Sequence, residues 1–345
     1  MTEWRWDPIT GQRVIIAEGR AARPVDYPAP PPGAASSSCP FCEGNEALTP
    51  AEVAVRRAPS GPPNGRGWSV RVIPNKFPTF LPSVSPSSVS MSPPGSTLRR
   101  EDAVGVHEVV IQSPTHSPGF PYLGSAHQLE VFEVYRERVR ALEPMPGARS
   151  IVLAENWGPD SGGSLSHPHG QILATTELVP GLADMLRGSE ERAREWQVPC
   201  PLERVLDEER RIGSRIVLED EHITVLAPFA STFPYQVRFI PREHRRSLSR
   251  SGEGELRSLA VYVPRVERAL LALFPGASYN MAGVFPVGEA DVPRSFHWWL
   301  DLLPRLGKGD AFELAAHVPV NPVPPEAAAE QYRRALSSPG EGRAP

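Results

Sequence analysis

Two short runs in this chain combine residue types and spacing that chemistry needs. The more specific is Ser166-His167-Pro168-His169-Gly170-Gln171, preceded by Gly162-Gly163-Ser164. On an extended strand, residues two apart point to one side, so His167, His169 and Gln171 would share a face, with Pro168 and Gly170 able to distort it. Two imidazoles and an amide are costly to bury without partners. The glycines before them let an anion approach the backbone closely. The plainer alternative is a hydrogen-bonded histidine pair at a strand end, and the glycine context weighs against it.

The second run, Cys39-Pro40-Phe41-Cys42, has the spacing of half a zinc site. No second CxxC follows, so imidazole would have to complete the set, from His107, His116, His127 or His167. A buried thiol pair is the alternative. A thioredoxin-like role lacks the helix-opening pattern after the motif. Weaker signals are Arg20 with Arg23, whose guanidiniums suit phosphate oxygens, and Asn75-Lys76-Phe77 between two prolines, which could hold a base. In the second half His244 and His297 could meet, but two donors are too few for a metal site.

These residues need a scaffold, and the chain is long enough for one. It has 345 residues with 40% apolar side chains, enough for one large domain or two ordinary ones. A net charge of −4 leaves no electrostatic footprint for nucleic acid or an anionic membrane. Three cysteines exclude a disulfide framework and suit a reducing compartment. The opening residues lack the apolar core of a signal peptide, and no apolar run reaches membrane length. A cytoplasmic location is expected.

Strands are predicted at 12–17, 70–73, 108–112, 150–154 and 171–175, with helices over 128–145 and 182–197. Segment 23–38 should be irregular and 81–99 a loop. After residue 200 the pattern begins again, with strands at 215–218, 223–226 and 235–240. A helix over 254–274 places Leu256, Leu259, Val263, Val266, Leu270 and Leu273 at helical spacing, and strands at 279–281 and 296–303 follow. Each half reads strand, strand, long helix, strand, then a strand carrying histidine. Two α+β units are therefore predicted, residues 1–190 and 191–345.

Taken in order, the pieces resemble the galactose-1-phosphate uridylyltransferase family of the histidine-triad superfamily. The likeness extends from about Trp4 to about Arg334. It passes through Asp7-Pro8-Ile9-Thr10-Gly11-Gln12, the CxxC, Pro74-Asn75-Lys76-Phe77-Pro78, Ser113-Pro114-Thr115-His116 and Glu155-Asn156-Trp157-Gly158 to the HPHGQ run. Single pieces are common, but the ordered set is specific. The resemblance implies tandem histidine-triad-like units with antiparallel-rich sheets and packed helices. The first would carry a zinc site and the nucleophile, and the second would close the active site.

The resemblance also assigns roles. His169 would attack the α-phosphorus of a nucleotide sugar, and a nucleoside monophosphate, UMP, would pass between hexose 1-phosphates. Gln171 and Ser164 would donate hydrogen bonds to phosphate oxygens. Asn156 would hold the nucleotide, Arg20 and Arg23 the substrate phosphate, and Asn75 and Phe77 would border the base. Cys39, Cys42, His116 and His167 would bind a structural zinc, with His107 as the alternative ligand. A homodimer is implied, and neither nucleic acid nor membrane is a partner. Relatives carry His-x-His in the second half, where this chain reads His297-Trp298-Trp299. The likeness therefore carries over no second metal there, and a packed aromatic cluster is expected. Two other readings are an ADP-sugar phosphorylase using inorganic phosphate, and a zinc-stabilised nucleotide-binding protein with little turnover. The intact HPHGQ run argues against the binder.

Overall fold

The computed structural model describes residues 2–22, 39–58, 61–82, 97–98, 102–116, 119–288, 292–307 and 309–338. The first half contributes β1 (Thr2–Trp6), β2 (Arg13–Ala17), β3 (Ala54–Arg57), β4 (Trp68–Pro74), β5 (Gly105–Ile111), α1 (Ser125–Leu142), β6 (Ser150–Trp157) and β7 (His169–Thr175). Then come α2 (Pro180–Trp196), α3 (Pro201–Ile212), β8 (Ile216–Glu219), β9 (Ile223–Leu226), β10 (Val237–Pro241) and α4 (Glu253–Leu273). The chain closes with β11 (Tyr279–Pro286), β12 (Leu300–Pro304), α5 (Ala311–Ala316), β13 (Val320–Asn321) and α6 (Pro325–Leu336). The architecture is α+β. Expected segment 23–38 and most of 81–99 lie outside the described residues.

Ten strands form one antiparallel sheet in the order β3-β4-β5-β7-β6-β11-β12-β10-β9-β8. From either edge to the centre the order is the same: β3-β4-β5-β7-β6 in one half, β8-β9-β10-β12-β11 in the other. The long helix falls at the same place in each, α1 after β5 and α4 after β10. The halves join along β6 and β11, paired from Tyr279 opposite Trp157 to Pro286 opposite Ser150. The expected division at 190/191 falls inside α2. We propose that the units meet along β6 and β11, with α2 and α3 as the link between them.

Both long helices bury the stripes that their spacing implies. In α4 Leu256, Leu259, Val263, Val266 and Leu270 are buried, and in α1 Val131, Phe132, Tyr135, Val139 and Leu142. The strand expected over 296–303 begins only at Leu300. Strands β1 and β3 and helices α3, α5 and α6 are additions that the sequence pattern did not show. The N-terminal segment belongs spatially to the second half. Its β2 pairs β1 and β13, and Val14 and Ile16 pack on Ala230. Asp7 lies 3.6 Å from Arg238 on β10.

A polar cluster is buried where the halves meet. Gln112 Nε2 donates to Tyr135 Oη at 2.8 Å and to Glu155 Oε2 at 2.7 Å. Burial pushes the Glu155 carboxyl up to about 7. Burial, then the charge of Glu155, hold Glu267 of α4 well above the usual carboxylate range, so Glu267 is neutral. This cluster lies directly behind β7. A Cβ on Gly170 would sit 2.1 Å from Tyr135 Oη, and Tyr135 is fully buried. Gly170→Ala should therefore cost about 1–3 kcal/mol of stability through overpacking. Denaturant unfolding checks this, and an unchanged midpoint would show that the strand and Tyr135 can separate freely.

Candidate functional site

The CxxC turn and the histidine run converge. Cys39 Sγ lies 3.6 Å from His167 Nδ1, and Cys42 Sγ lies 3.7 Å from both His116 Nδ1 and His167 Nδ1. All four donor atoms fall within 4.8 Å of one another. Tetrahedral zinc, with Zn–S about 2.3 Å and Zn–N about 2.0–2.1 Å, implies an S···N edge of about 3.6 Å. The four residues therefore fit a tetrahedral metal ion. The outer ring nitrogens are also held: His167 Nε2 donates to the Ser113 carbonyl at 2.8 Å, and His116 Nε2 is 3.0 Å from Ser166 Oγ. A carbonyl only accepts, so the proton of neutral His167 is on Nε2 and the Nδ1 lone pair faces the cluster. Burial pushes His167 down to about 4, which keeps it neutral. Burial, then the neighbouring Cys39, push the Cys42 thiol up, and a cation is the natural compensation for two adjacent sulfurs.

The alternative ligands are engaged elsewhere. His127 Nε2 donates to the Gln112 carbonyl at 2.7 Å. His107 Nε2 lies 2.7 Å from Gln171 Oε1. The fourfold choice of imidazoles left by the sequence resolves to His116 and His167.

His169 opens β7, one step beyond the cluster. Its Nδ1 donates to the His167 carbonyl at 2.7 Å, which leaves the Nε2 lone pair available. Burial lowers its pKa from the ordinary imidazole value, so the ring is neutral at pH 7. Phe41 of the CxxC turn packs edge-on to both imidazoles, with centroids 5.3 Å from His169 and 5.9 Å from His167. Sequence reasoning missed this role of Phe41. Its position inside the CxxC was the available signal.

The other expected residues divide. Gln171 stands on β7 two residues beyond His169 and bonds through Oε1 to His107. Asn75 reaches the same imidazole, with Nδ2 3.1 Å from His107 Nε2. Phe77, whose N–H donates to Asn75 Oδ1 at 2.9 Å, is 83% exposed and presents a free aromatic face. Asn156 on β6 accepts through Oδ1 from Asn280 Nδ2 at 2.7 Å, and Asn280 also donates to the Ser161 carbonyl at 2.9 Å. Asn280 belongs to β11, so the second half helps shape the first half's site, which the sequence did not disclose. Ser164 is exposed on the segment between β6 and β7. Arg20 is exposed and pairs with Asp310 at 2.6 Å. Arg23 lies outside the described residues.

The aromatic cluster expected around His297 is corrected in part. Trp298 is fully buried against Phe285, and Trp299 lies under the Arg238 guanidinium, 4.2 Å from ring centroid to Cζ. His297 itself turns to Cys200, with Nδ1 3.6 Å from Sγ, and Glu203 completes a set of three possible metal donors. His244 stacks on His297 at 5.2 Å. Burial pushes His297 down to about 3, so the imidazole is neutral. Cys200 is the N-cap residue of α3 and Glu203 lies in its first turn, a helix that sequence reasoning missed.

Several known proteins share this fold and length. An ADP-glucose phosphorylase of Arabidopsis thaliana is 28% identical over 337 residues, covering 96% of this chain and 92% of the relative. A galactose-1-phosphate uridylyltransferase of Thermotoga maritima is 29% identical over 341 residues, covering 96% and 98%. A crystal structure of an ADP-glucose phosphorylase from Arabidopsis thaliana with bound ADP-glucose superposes with a TM-score of 0.80 at 27% identity, covering 96% of this chain and 99% of the other. These likenesses make the chain an enzyme of the nucleotidyltransferase class. The profile of galactose-1-phosphate uridyl transferase, N-terminal domain, matches residues 1–180, and the chain belongs to that family.

Cys39→Ser should remove a soft donor from the cluster and, if the cluster binds metal, weaken that binding. The melting temperature should fall by several degrees, and the bound metal measured by plasma emission should drop by about one equivalent. Unchanged metal content would show that these four residues are not a metal site.

Proposed function

We propose that the chain moves a nucleoside monophosphate between phosphorylated acceptors through a covalent nucleotidyl-His169 intermediate. The observation that carries this reading is the free Nε2 of His169, set by the bond from its Nδ1 to the His167 carbonyl. Nε2 attacks the α-phosphorus of a nucleotide sugar. The P–N bond forms as the bond to the hexose 1-phosphate oxygen breaks, and that oxygen leaves with the electron pair. A leaving phosphate monoester needs little protonation, so no strong general acid is required. The ring becomes cationic on attack, and the charge-assisted Nδ1–H bond to the carbonyl strengthens. In the second half-reaction an acceptor phosphate oxygen attacks the same phosphorus, and the electron pair of the P–N bond returns to Nε2.

The other residues bind and orient. Gln171 donates to a phosphate oxygen as negative charge accumulates there, and Ser164 supplies a second donor. Asn156, held by Asn280, turns its remaining amide hydrogens to the nucleotide. Asn75 and Phe77 border the base, and Arg20 and Arg23 bind substrate phosphate. Zinc is the proposed occupant of Cys39, Cys42, His116 and His167. With four protein ligands it would hold the strand bearing His169 in place, with no open position for water. Metal-bound thiolates suit a reducing compartment, and a cytoplasmic location is proposed on that ground.

UMP transfer between hexose 1-phosphates is the principal reading. A second reading, transfer of AMP from an ADP-sugar to inorganic phosphate, is favoured by the likeness over 96% of the chain to an ADP-glucose phosphorylase. Incubation with α-32P-labelled UDP-glucose and ADP-glucose separates them. The base that labels the protein names the donor, and release of label by galactose 1-phosphate or by inorganic phosphate names the acceptor. His169→Asn should abolish the label and lower turnover by about 10⁴-fold or more. Persistent sugar-nucleotide exchange in that variant would refute the covalent route.

A further inference from the structure

We propose that His107 is a positioning residue that sets which way the Gln171 amide faces, and so presents the Gln171 NH₂ group to the phosphate at His169. The inference rests on the transfer reading above. The backbone N–H of Thr79 donates to His107 Nδ1 at 3.0 Å. A backbone amide can only donate, so Nδ1 carries a lone pair and the neutral ring has its proton on Nε2. Nε2 stands 2.7 Å from Gln171 Oε1, and that oxygen must be the acceptor. The Gln171 NH₂ is therefore turned away from the ring. A flipped amide would set N–H against N–H across the same 2.7 Å.

Asn75 does not add to this polarity, since its donor Nδ2 also lies 3.1 Å from His107 Nε2, but it does not compete for the proton. Asn75 Oδ1 is occupied by the Phe77 N–H at 2.9 Å, so Asn75 turns its Nδ2, not an oxygen, toward His107. No acceptor on Asn75 competes for the Nε2 proton. The strand register supplies the reach: β5 places Val109 opposite Gln171 and His107 opposite Leu173, so His107 and Gln171 are diagonal neighbours across paired strands. His107 is 7% exposed, and burial lowers its pKa, which keeps the ring neutral around pH 7. A single hydrogen-bond relay thus runs from the Thr79 backbone through an imidazole to the amide beside the nucleophile. It decides whether a donor or an acceptor meets the developing phosphate charge.

Losing an oxyanion donor outright costs about 10²–10³-fold, and a donor left free to flip should cost less, about 10- to 100-fold. The experiment is single-turnover labelling of His169 by the nucleotide sugar, in wild type, His107→Leu, His107→Gln, Gln171→Ala and His107→Leu/Gln171→Ala. His107→Leu should slow labelling by that factor with little change in KM. His107→Gln keeps a donor near the Nε2 position and should recover most of the rate. On the Gln171→Ala background His107→Leu should cost nothing further, because its effect acts through Gln171. Additive losses, or wild-type labelling by a folded His107→Leu, would overturn the proposal. A 15N spectrum of ring-labelled wild type tests it without any variant: the Nε2–H tautomer supports it and an Nδ1–H tautomer refutes it. Absence of label in wild type would instead refute the transfer reading, so the two failures are distinguishable.

Discussion

One short bond decides which nitrogen of the buried His169 imidazole keeps its lone pair. His169 Nδ1 donates to the His167 carbonyl at 2.7 Å, which fixes the proton on Nδ1. The ring of the same residue, His167, lies 3.6 Å from Cys39 and 3.7 Å from Cys42 through its own Nδ1. The Cys/His cluster and the tautomer of His169 therefore depend on one short segment. Anything that loosens the cluster moves the carbonyl that orients the His169 ring. Phe41, between the two cysteines, packs on both imidazoles and couples the same parts through van der Waals contact.

The seam between the halves extends this control. Across β6 and β11, Asn280 lies opposite Asn156 and holds its amide oxygen. One residue along β6, Glu155 faces inward to Gln112 and Tyr135, beneath Gly170. Alternation along one strand thus turns Asn156 to the site and Glu155 to the core. Low dielectric behind the strand keeps Glu267 neutral, and two ionised carboxyls there would repel at close range.

The second half keeps the topology and uses its equivalent strand differently. Trp299, just before β12, lies against Arg238, and its Nε1 donates to Asp301 at 2.8 Å. Arg238 bonds Asp301 at 2.8 Å and lies near Asp7, so this strand anchors the N-terminal segment. An always-charged guanidinium buried beside two carboxylates is a good structural fastener and a poor place for nucleotide chemistry.

The parts of this protein that depend on local periodicity were legible. The repeat of strands, long helix and two further strands, the apolar stripe of α4 and the start of β7 within HPHGQ all follow from spacing. Residue types also pointed to half a possible metal site, because thiols three positions apart in a turn have the spacing of half a zinc site. Identity of the remaining ligands was different. Residue types and spacing alone left His107, His116 and His127 open and the family resemblance favoured His116; folding put His116 beside Cys42 while turning His107 to Gln171 and His127 to a carbonyl. Asn280 and the Cys200–Glu203–His297 set were likewise invisible, since each depends on pairing residues far apart in the chain. The sequence by itself determined which residue types were available for phosphorus chemistry and in what order. Tertiary structure alone decided which nitrogen of each histidine is free, because that depends on the acceptor or donor placed against the other nitrogen.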